Sequence, residues 1–145
     1  MAELQKVDEW LETSLRKMEP ATRQRMMREL AQELRRNQQE NIRLQLNPDG
    51  SGFEPRRVAA RSKKGRIKRQ MFAKLRTNKY LKTAATADYA CVYFDGKVQR
   101  IACVHHYGLR DRVSRRGLKV QYPERRLLGF TKDISNLNLG VYLKR

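Results

Sequence analysis

The apolar residues at the start of the chain recur at three- and four-residue steps, with charged residues between them. They are Leu4, Val7, Leu11, Leu15 and Met18. This spacing places them on one face of a helix and predicts an amphipathic helix of about four turns. We expect the helix to end near Glu19-Pro20.

A second helix is predicted to begin at Pro20, because proline is tolerated in the first turn of a helix. Its apolar stripe consists of Met27, Leu30 and Leu34, and the stripe becomes polar beyond that point. We expect this polar half either to project or to pack by hydrogen bonds. Residues 47–52 mark its end, because Pro48 disfavours helix at the residue before it and the glycines allow positive φ.

The middle of the chain is basic and begins without periodicity. We expect residues 47–65 to form an extended basic loop. Residues 66–77 then predict a short basic helix, because their apolar side chains repeat at helical spacing. The apolar side chains of that helix are Ile67, Met71, Phe72 and Leu75.

Strands are predicted after this helix, and together with the helices they give an α+β fold. The predicted strands are residues 80–84, 89–94 and 98–105, rich in β-branched and aromatic side chains. The last two are expected to form a hairpin through Asp95-Gly96. The fold class is therefore a helical pair and a short basic helix packed on a small antiparallel sheet, with long basic loops.

The last third of the chain is less regular. We expect residues 109–122 to form a long basic loop and residues 127–130 to form a buried strand. Residues 131–145 fit a helix and a strand equally well. We expect one domain over residues 1–145. Its parts are the helical pair (1–46), the extended loop (47–65), the helix with antiparallel strands (66–130) and the C-terminal tail (131–145).

The two cysteines fall on the two arms of the predicted hairpin. A two-residue turn pairs residues whose numbers have an odd sum, whereas Cys91 and Cys103 have an even one. Their side chains should therefore point to opposite faces of the sheet, and we expect no disulfide between them. Free cysteines are typical of a reducing, cytosolic origin.

Candidate chemistry is sparse. His105 and His106 are adjacent in a predicted strand, so they should face opposite ways and cannot chelate one metal. The sequence has no phosphate-binding glycine loop, no nucleophile beside a base and no paired acids. We therefore expect no enzymatic activity, no metal, no cofactor and no small-molecule substrate. We also expect no membrane span, because no run of about 18 apolar residues occurs, and no signal peptide.

Charge is the strongest compositional signal. The chain has 33 basic and 15 acidic residues, which gives a net charge of +18 and a pI near 10.6. Residues 55–87 contain twelve Lys or Arg and no Asp or Glu, interrupted by apolar residues. This pattern favours cations mounted on folded structure and facing a polyanion over a merely solvated surface. No zinc-finger, helix-turn-helix or RNA-recognition signature is present, so charge indicates contact rather than base reading.

The candidate contacts with acidic neighbours or DNA form two groups. The loop and helix group is Arg56, Arg57, Arg61, Lys63, Lys64, Arg66, Lys68 and Arg69. The second group is Arg110, Arg112, Arg115 and Arg116.

Four blocks of sequence, in order along nearly the whole chain, resemble the phage virion morphogenesis family, the tail completion proteins of contractile-tailed bacteriophages. The blocks contain Asn47-Pro48-Asp49-Gly50, Gly65-Arg66-Ile67-Lys68, Val104-His105-His106-Tyr107-Gly108-Leu109 and Leu127-Leu128-Gly129-Phe130. The chain departs from the family at His106, where the family more often has Gln. It also departs in its C-terminal tail, which is less helical in pattern than is usual.

The resemblance implies a structural virion protein without activity or cofactor, which acts late in assembly where the tail meets the head. It also implies small α+β subunits in a ring, which we expect to be hexameric, around the DNA channel. The implied partners are further copies of the chain and other neck, tail terminator, tail tube or head-tail connector proteins, with non-specific DNA contact as a further option. The implied location is the virion neck, assembled in the host cytoplasm. A free nucleic-acid-binding phage regulatory protein is the alternative.

Overall fold

Two long helices lead the chain in the computed structural model, which describes residues 2–56, 70–129 and 139–142. Helix α1 spans Ala2–Lys17 and helix α2 spans Pro20–Arg43. Pro20 occupies the first turn of α2, where its missing N–H would have had no partner within the helix. The predicted helical pair and its break before Pro20 are confirmed.

The remaining elements are short. In chain order they are β1 (Leu81–Ala85), β2 (Ala90–Phe94), α3 (Gln99–Tyr107), β3 (Arg110–Arg112), β4 (Lys119–Gln121) and β5 (Leu139–Tyr142). One sheet has the order β1-β2-β5, in which β1 and β2 are antiparallel and β2 and β5 are parallel. Strands β3 and β4 form a separate antiparallel pair. The α+β class is confirmed, as are the first two predicted strands. Strand β1 begins and ends one residue later than predicted, and β2 begins one residue later.

Helix α2 covers the sheet and uses both apolar and polar side chains to do so. Its buried residues are Met27, Ala31, Leu34, Gln38 and Ile42, at three- and four-residue spacing. Gln38 Nε2 donates to Gly129 O at 2.9 Å, and Gly129 N donates back to Gln38 Oε1 at 3.1 Å. Among the two options for the polar half of α2, packing by hydrogen bonds is therefore the one observed.

The prediction of a hairpin with residues 98–105 as its second arm is wrong, because these residues lie mainly in helix α3. Gly108 ends α3 in the left-handed conformation at φ 63°, and its N–H donates to Val104 O. Glycine adopts this conformation without the steric cost of a Cβ, which makes it a strong helix stop. The argument from the numbering of Cys91 and Cys103 therefore fails.

The predicted basic helix over residues 66–77 is wrong for its described part. Residues 71–80 form consecutive turns, and Phe72 has a left-handed φ of 63° that interrupts a right-handed helix. The side chain of Gln45 binds both backbone groups of Met71, accepting from its N and donating to its O. These bonds occupy groups that a helix would need. Residues 66–69 lie outside the described residues.

Three further predictions differ from the structure. Residues 109–122 are not a loop but carry the β3–β4 hairpin. Residues 127–129 form no strand, although Leu127 and Leu128 are buried in the core. Residues 47–56 of the predicted extended loop are irregular apart from one bridge between Leu46 and Gly52. Outside the described residues lie the rest of that loop, Phe130 and residues 131–138 and 143–145 of the tail. Residues 139–142 of the tail are strand.

The main core lies between α2, the sheet and α3. Its largest cluster consists of Leu34, Ile42, Phe53, Leu75, Leu81, Val92, Phe94, Ala102, Leu127 and Leu128. The division of the chain into the four parts given above, within one domain, stays a prediction.

Candidate assembly surface

Most of the first predicted group of cations lies outside the described residues. These are Arg57, Arg61, Lys63, Lys64, Arg66, Lys68 and Arg69. Arg56 is described and exposed. The structure therefore locates Arg56 and the whole second group, Arg110, Arg112, Arg115 and Arg116, and it places that second group on one hairpin.

The β3–β4 hairpin presents cations on one face. Side chains alternate along a strand, so Arg110 and Arg112 share the exposed face of β3, and Lys119 lies directly opposite Arg112 on β4. The N–H groups of Val113 and Tyr122 donate across the hairpin to Leu118 and Leu109. Hydrogen-bonded and non-hydrogen-bonded residue pairs alternate along an antiparallel hairpin, so Arg112 and Lys119 form a non-hydrogen-bonded pair. The side chains of such a pair lie closer together, and like charges there repel most.

The acid nearest these cations is already engaged. Asp111 is the sole acid of residues 109–122, and its Oδ1 accepts from Arg100 Nη2 at 2.8 Å. The backbone N–H of Arg112 and then the side chain of Arg100 lower the pKa of Asp111 below its usual value. Within the described part of the chain, none of the four arginines of the second group forms an ion pair.

A groove of about 560 Å³ runs beside the hairpin. Its lining is mainly apolar and comes from the turn at residues 71–72, from α3 and from the hairpin. The lining residues are Arg56, Met71, Phe72, His105, Val113, Val120, Gln121, Tyr122, Pro123 and Arg125. No acidic side chain is among them, and two of them, Arg56 and Arg125, carry guanidinium groups.

Arg125 anchors one wall of this groove. It is only 5% exposed, and it donates from Nε to Glu54 O at 2.7 Å and from Nη2 to Pro55 O at 3.1 Å. Burial lowers the pKa of Arg125; Glu54 opposes this effect and Arg56 adds to it. Because arginine stays protonated in proteins, the groove keeps this positive charge at all ordinary pH values.

The two histidines of α3 have structural surroundings. The ring of His105 packs edge-on to Phe72 and Tyr122, with centroids 5.0 Å and 4.9 Å away. Burial is the main cause that lowers the pKa of His105 and also that of His106. In residues 2–56 and 70–129, no group of three or more His, Cys, Asp or Glu side chains could hold a metal ion.

Helix α1 carries a second apolar surface. Val7 and Trp10 lie three residues apart on neighbouring turns of the helix, and they are 52% and 67% exposed. The sheet packs on α2, whereas α1 has no comparable packing partner among the described elements. No described helix is both long and apolar enough to cross a membrane.

Sequence reasoning identified the hairpin cations but missed the groove and the exposed Trp10. Val113, Tyr122 and Arg125 come together with the turn at residues 71–72 only through tertiary packing. Trp10 had a usable signal, because it lies three residues after Val7 on the apolar side of α1.

Comparison with known proteins decides the family. The family model described as the phage virion morphogenesis family matches residues 2–144. The chain belongs to this family. It is 39% identical over 135 residues to Tail completion protein S of Escherichia phage P2, a match that covers 92% of this chain and 90% of that protein. No solved structure matches the chain. The resemblance found in the sequence is confirmed.

Proposed function

We propose that this chain is a structural, non-enzymatic tail completion protein of a bacteriophage virion. The observation that carries the proposal is the 39% identity to a tail completion protein along almost the full length of both chains. An alignment that covers both chains so fully supports a shared role for the whole protein. The α+β fold agrees with the subunit type that the family resemblance implies.

The finer part of the proposal concerns place and assembly. We infer that the protein acts at the neck, where it completes the contractile tail and joins it to the head as a hexameric ring. Two exposed features support an assembly role: the apolar face of α1 and the apolar groove beside the β3–β4 hairpin. Exposed apolar surfaces of this kind mark sites where proteins contact one another.

The cations are assigned to contacts with acidic surfaces of neighbouring subunits, with neck, tail terminator, tail tube or connector proteins, or with DNA in the channel. The hairpin supports this role because Arg112 and Lys119 face each other without an acid between them. Such a pair costs stability in the free subunit, and an anionic partner would offset that cost. Arg56 and the loop cations 57, 61, 63 and 64 extend the same assignment along the chain.

The test uses a phage that carries this gene in inactivated form, complemented from a plasmid. Without complementation we expect separate heads and tails in electron micrographs, and with the wild-type chain we expect joined virions that contain the protein at the neck. Normal virions without complementation, or labelled protein absent from purified virions, would contradict the proposal.

The cations are tested in the same system with two variants. One replaces Arg110, Arg112, Arg115 and Arg116 with Ser, and the other replaces Arg56, Arg57, Arg61, Lys63 and Lys64 with Ser. We expect each to fold as the wild type does but to leave heads and tails unjoined. A normal virion yield from either variant would remove the corresponding group from the contact surface. The matched control is Arg36→Ser, an exposed arginine of α2 whose partner Glu33 lies on the same helix.

A free nucleic-acid-binding regulatory protein is the second candidate function. The exposed hairpin arginines favour it, because they form no ion pair within the described residues and could neutralise phosphates. Binding of the purified protein to random duplex DNA should then weaken steeply with salt, with a slope of about −0.9 per phosphate contacted. Feeble DNA binding by a protein that sediments with tails would exclude this alternative.

A further inference from the structure

The outer end of the β3–β4 hairpin is held by its own hydrogen bonds rather than by burial. This end, residues 112–119, is the hairpin tip. Val113 N donates to Leu118 O at 3.1 Å, and Gly117 N donates to Ser114 O at 2.9 Å, so the backbone closes the turn. Every residue of the hairpin tip is exposed except Gly117, which is half-buried.

Two apolar side chains of the hairpin tip lie in water. Leu118 is 84% exposed, more than any other large apolar side chain in the described part of the chain, and Val113 is 63% exposed. Strand alternation places Leu118 on the side of the half-buried Val120. That side is covered at the base of the hairpin, where the ring of Tyr122 contacts His105, and it continues uncovered into the tip. An exposed apolar surface of this kind marks a site of contact with another protein.

The hairpin tip also carries four cations. Arg112 and Lys119 lie opposite each other on the side away from Leu118, and Arg115 and Arg116 lie in the turn. None of the four forms an ion pair within the described residues. One short segment thus combines an exposed apolar pair with four cations. It fits a partner surface that is apolar at its centre and acidic at its rim.

A second copy of this chain is a poor partner for the hairpin tip. It has the same net charge of +18, so two copies repel each other. Several of its carboxylates are also engaged already by arginines of their own chain. These are the carboxylates of Glu33, Glu40, Asp88, Asp111 and Glu124. Charge therefore favours a different protein as the partner.

Duplex DNA also fits the hairpin tip poorly. Its phosphates would attract the four cations, but the phosphate backbone offers no apolar surface to a leucine. Inserting Leu118 between two bases would require the duplex to be unstacked and kinked, which costs free energy. An apolar cleft on a protein covers Leu118 without such a distortion.

We propose that the hairpin tip docks in an apolar cleft rimmed by carboxylates on a different protein of the phage tail, with Leu118 as its main anchor. The inference rests on the proposed function, which supplies the tail, and it assigns the surface through which this chain contacts it. Leu118 and Val113 enter the cleft, and the four cations contact its acidic rim.

Purified tails of a phage in which this gene is inactivated are the probe, because their docking site should be open. We expect the full-length protein to sediment with these tails. Leu118→Ser should weaken the binding roughly tenfold or more, since burial of a leucine side chain contributes about that much. Leu44→Ser, at an exposed leucine that ends α2, is the matched control and should bind as the wild type does. Wild-type binding by Leu118→Ser, or a wild-type chain that does not bind the tails, would overturn the inference.

A photo-crosslinker identifies the partner directly. With a benzophenone amino acid in place of Leu118, illumination of the protein–tail mixture should join this position to a tail protein other than this chain, at a peptide that contains Asp or Glu. The same amino acid in place of Leu44 should give no such product. A crosslink from position 118 to a second copy of this chain would show that the proposed partner is wrong.

The apolar and charged parts of the hairpin tip should act on different rate constants. Leu118→Ser should mainly raise the rate of dissociation from immobilised tails. The double variant Arg115→Ser/Arg116→Ser should mainly lower the rate of association, and its effect should shrink as salt is added. Random duplex DNA is the second probe. If the double variant loses DNA binding while both variants bind tails as the wild type does, the hairpin tip is a DNA contact and the inference is wrong.

Complementation separates this inference from the proposed function. If Leu118→Ser loses tail binding but still supports normal virions, the contact stands and its role in tail completion falls. If every hairpin variant binds tails normally while the inactivated phage still requires the gene, the contact falls and the tail completion role stands.

Discussion

The body of the protein, formed by α2, the sheet and the core, buries its large apolar side chains, whereas the periphery, formed by α1 and the β3–β4 hairpin, exposes them. In the body, Phe94, Leu81 and Ile42 are almost completely buried between α2 and the sheet. At the periphery, Trp10 on α1 and Leu118 at the tip of the hairpin are 67% and 84% exposed. The residues that stabilise the fold are therefore different from the exposed apolar residues that remain available for partners.

Polar residues show the same division. Gln38 is buried in the body, and its amide satisfies both the N–H and the C=O of Gly129. The arginines at 110, 112, 115 and 116 form no ion pair within the described residues. Polar groups that are fully bonded specify a fold, whereas cations without partners add to the potential that attracts anions.

The largest expected effect is in the centre of the body. Phe94→Ala leaves a cavity beneath α2, and we expect the free energy of unfolding to fall by about 3–5 kcal/mol. Leu118→Ala is the matched change at the periphery and should alter it by less than about 0.5 kcal/mol. Urea denaturation measures both. Equal losses for the two variants would break the distinction between body and periphery.

The buried amide of α2 comes next. Gln38→Ala leaves the N–H and C=O of Gly129 without their partner. A fully buried unsatisfied group costs about 1–3 kcal/mol, and because Gly129 is only partly buried we expect a total loss of roughly 2–4 kcal/mol for the two groups. Gln32→Ala, on the exposed side of the same helix, is the control and should change stability little. Thermal and urea unfolding of the pair provide the measurement. A loss no larger than that of the control would show that Gly129 finds other partners.

A close contact beside that amide gives a smaller effect. A Cβ on Gly129 would clash with Pro48 Cγ and lie 2.9 Å from Pro48 Cβ, so Gly129→Ala should cost about 1–3 kcal/mol. Gly96→Ala is the matched control, because a Cβ there meets nothing within 4 Å. If both glycine variants unfold at the same urea concentration, Pro48 can move enough to accommodate the added methyl group.

The smallest expected effect has the opposite sign. Arg112→Thr removes the like charge facing Lys119, and we expect it to raise the free energy of unfolding by about 0.2–1 kcal/mol at low salt. Arg110→Thr changes the same face but leaves Gln121 opposite, so it should give no such gain. The difference should shrink as salt screens the charges. A loss of stability in Arg112→Thr would mean that this arginine supports the fold.

Prediction from sequence succeeded where a local pattern was long and ended by a clear signal. The stripe of α2 repeats over 24 residues and begins at a proline, so its type and start could be read directly. Prediction from sequence failed for α3, because Val98, Ile101 and Val104 favoured a strand. The decisive signal was Gly108, which ends the helix in the left-handed conformation.

The candidate site was predictable only as a collection of charges. The sequence indicated that Arg110, Arg112, Arg115 and Arg116 should contact something acidic, but it placed them on a loop. In the hairpin that carries them, Arg112 lies opposite Lys119, and Val113 lines the groove. Neither relation follows from spacing along the chain.

The sequence by itself determined the helical pair, the α+β class, the family and the strong positive charge, because these depend on composition and on residues within a few positions of one another. The tertiary structure decided whether residues 99–107 form a helix, where β5 joins the sheet, and which surfaces stay exposed. Such features depend on contacts like that between Gln38 and Gly129, which are 91 residues apart in the chain. Packing brings these groups together, and no local pattern encodes it.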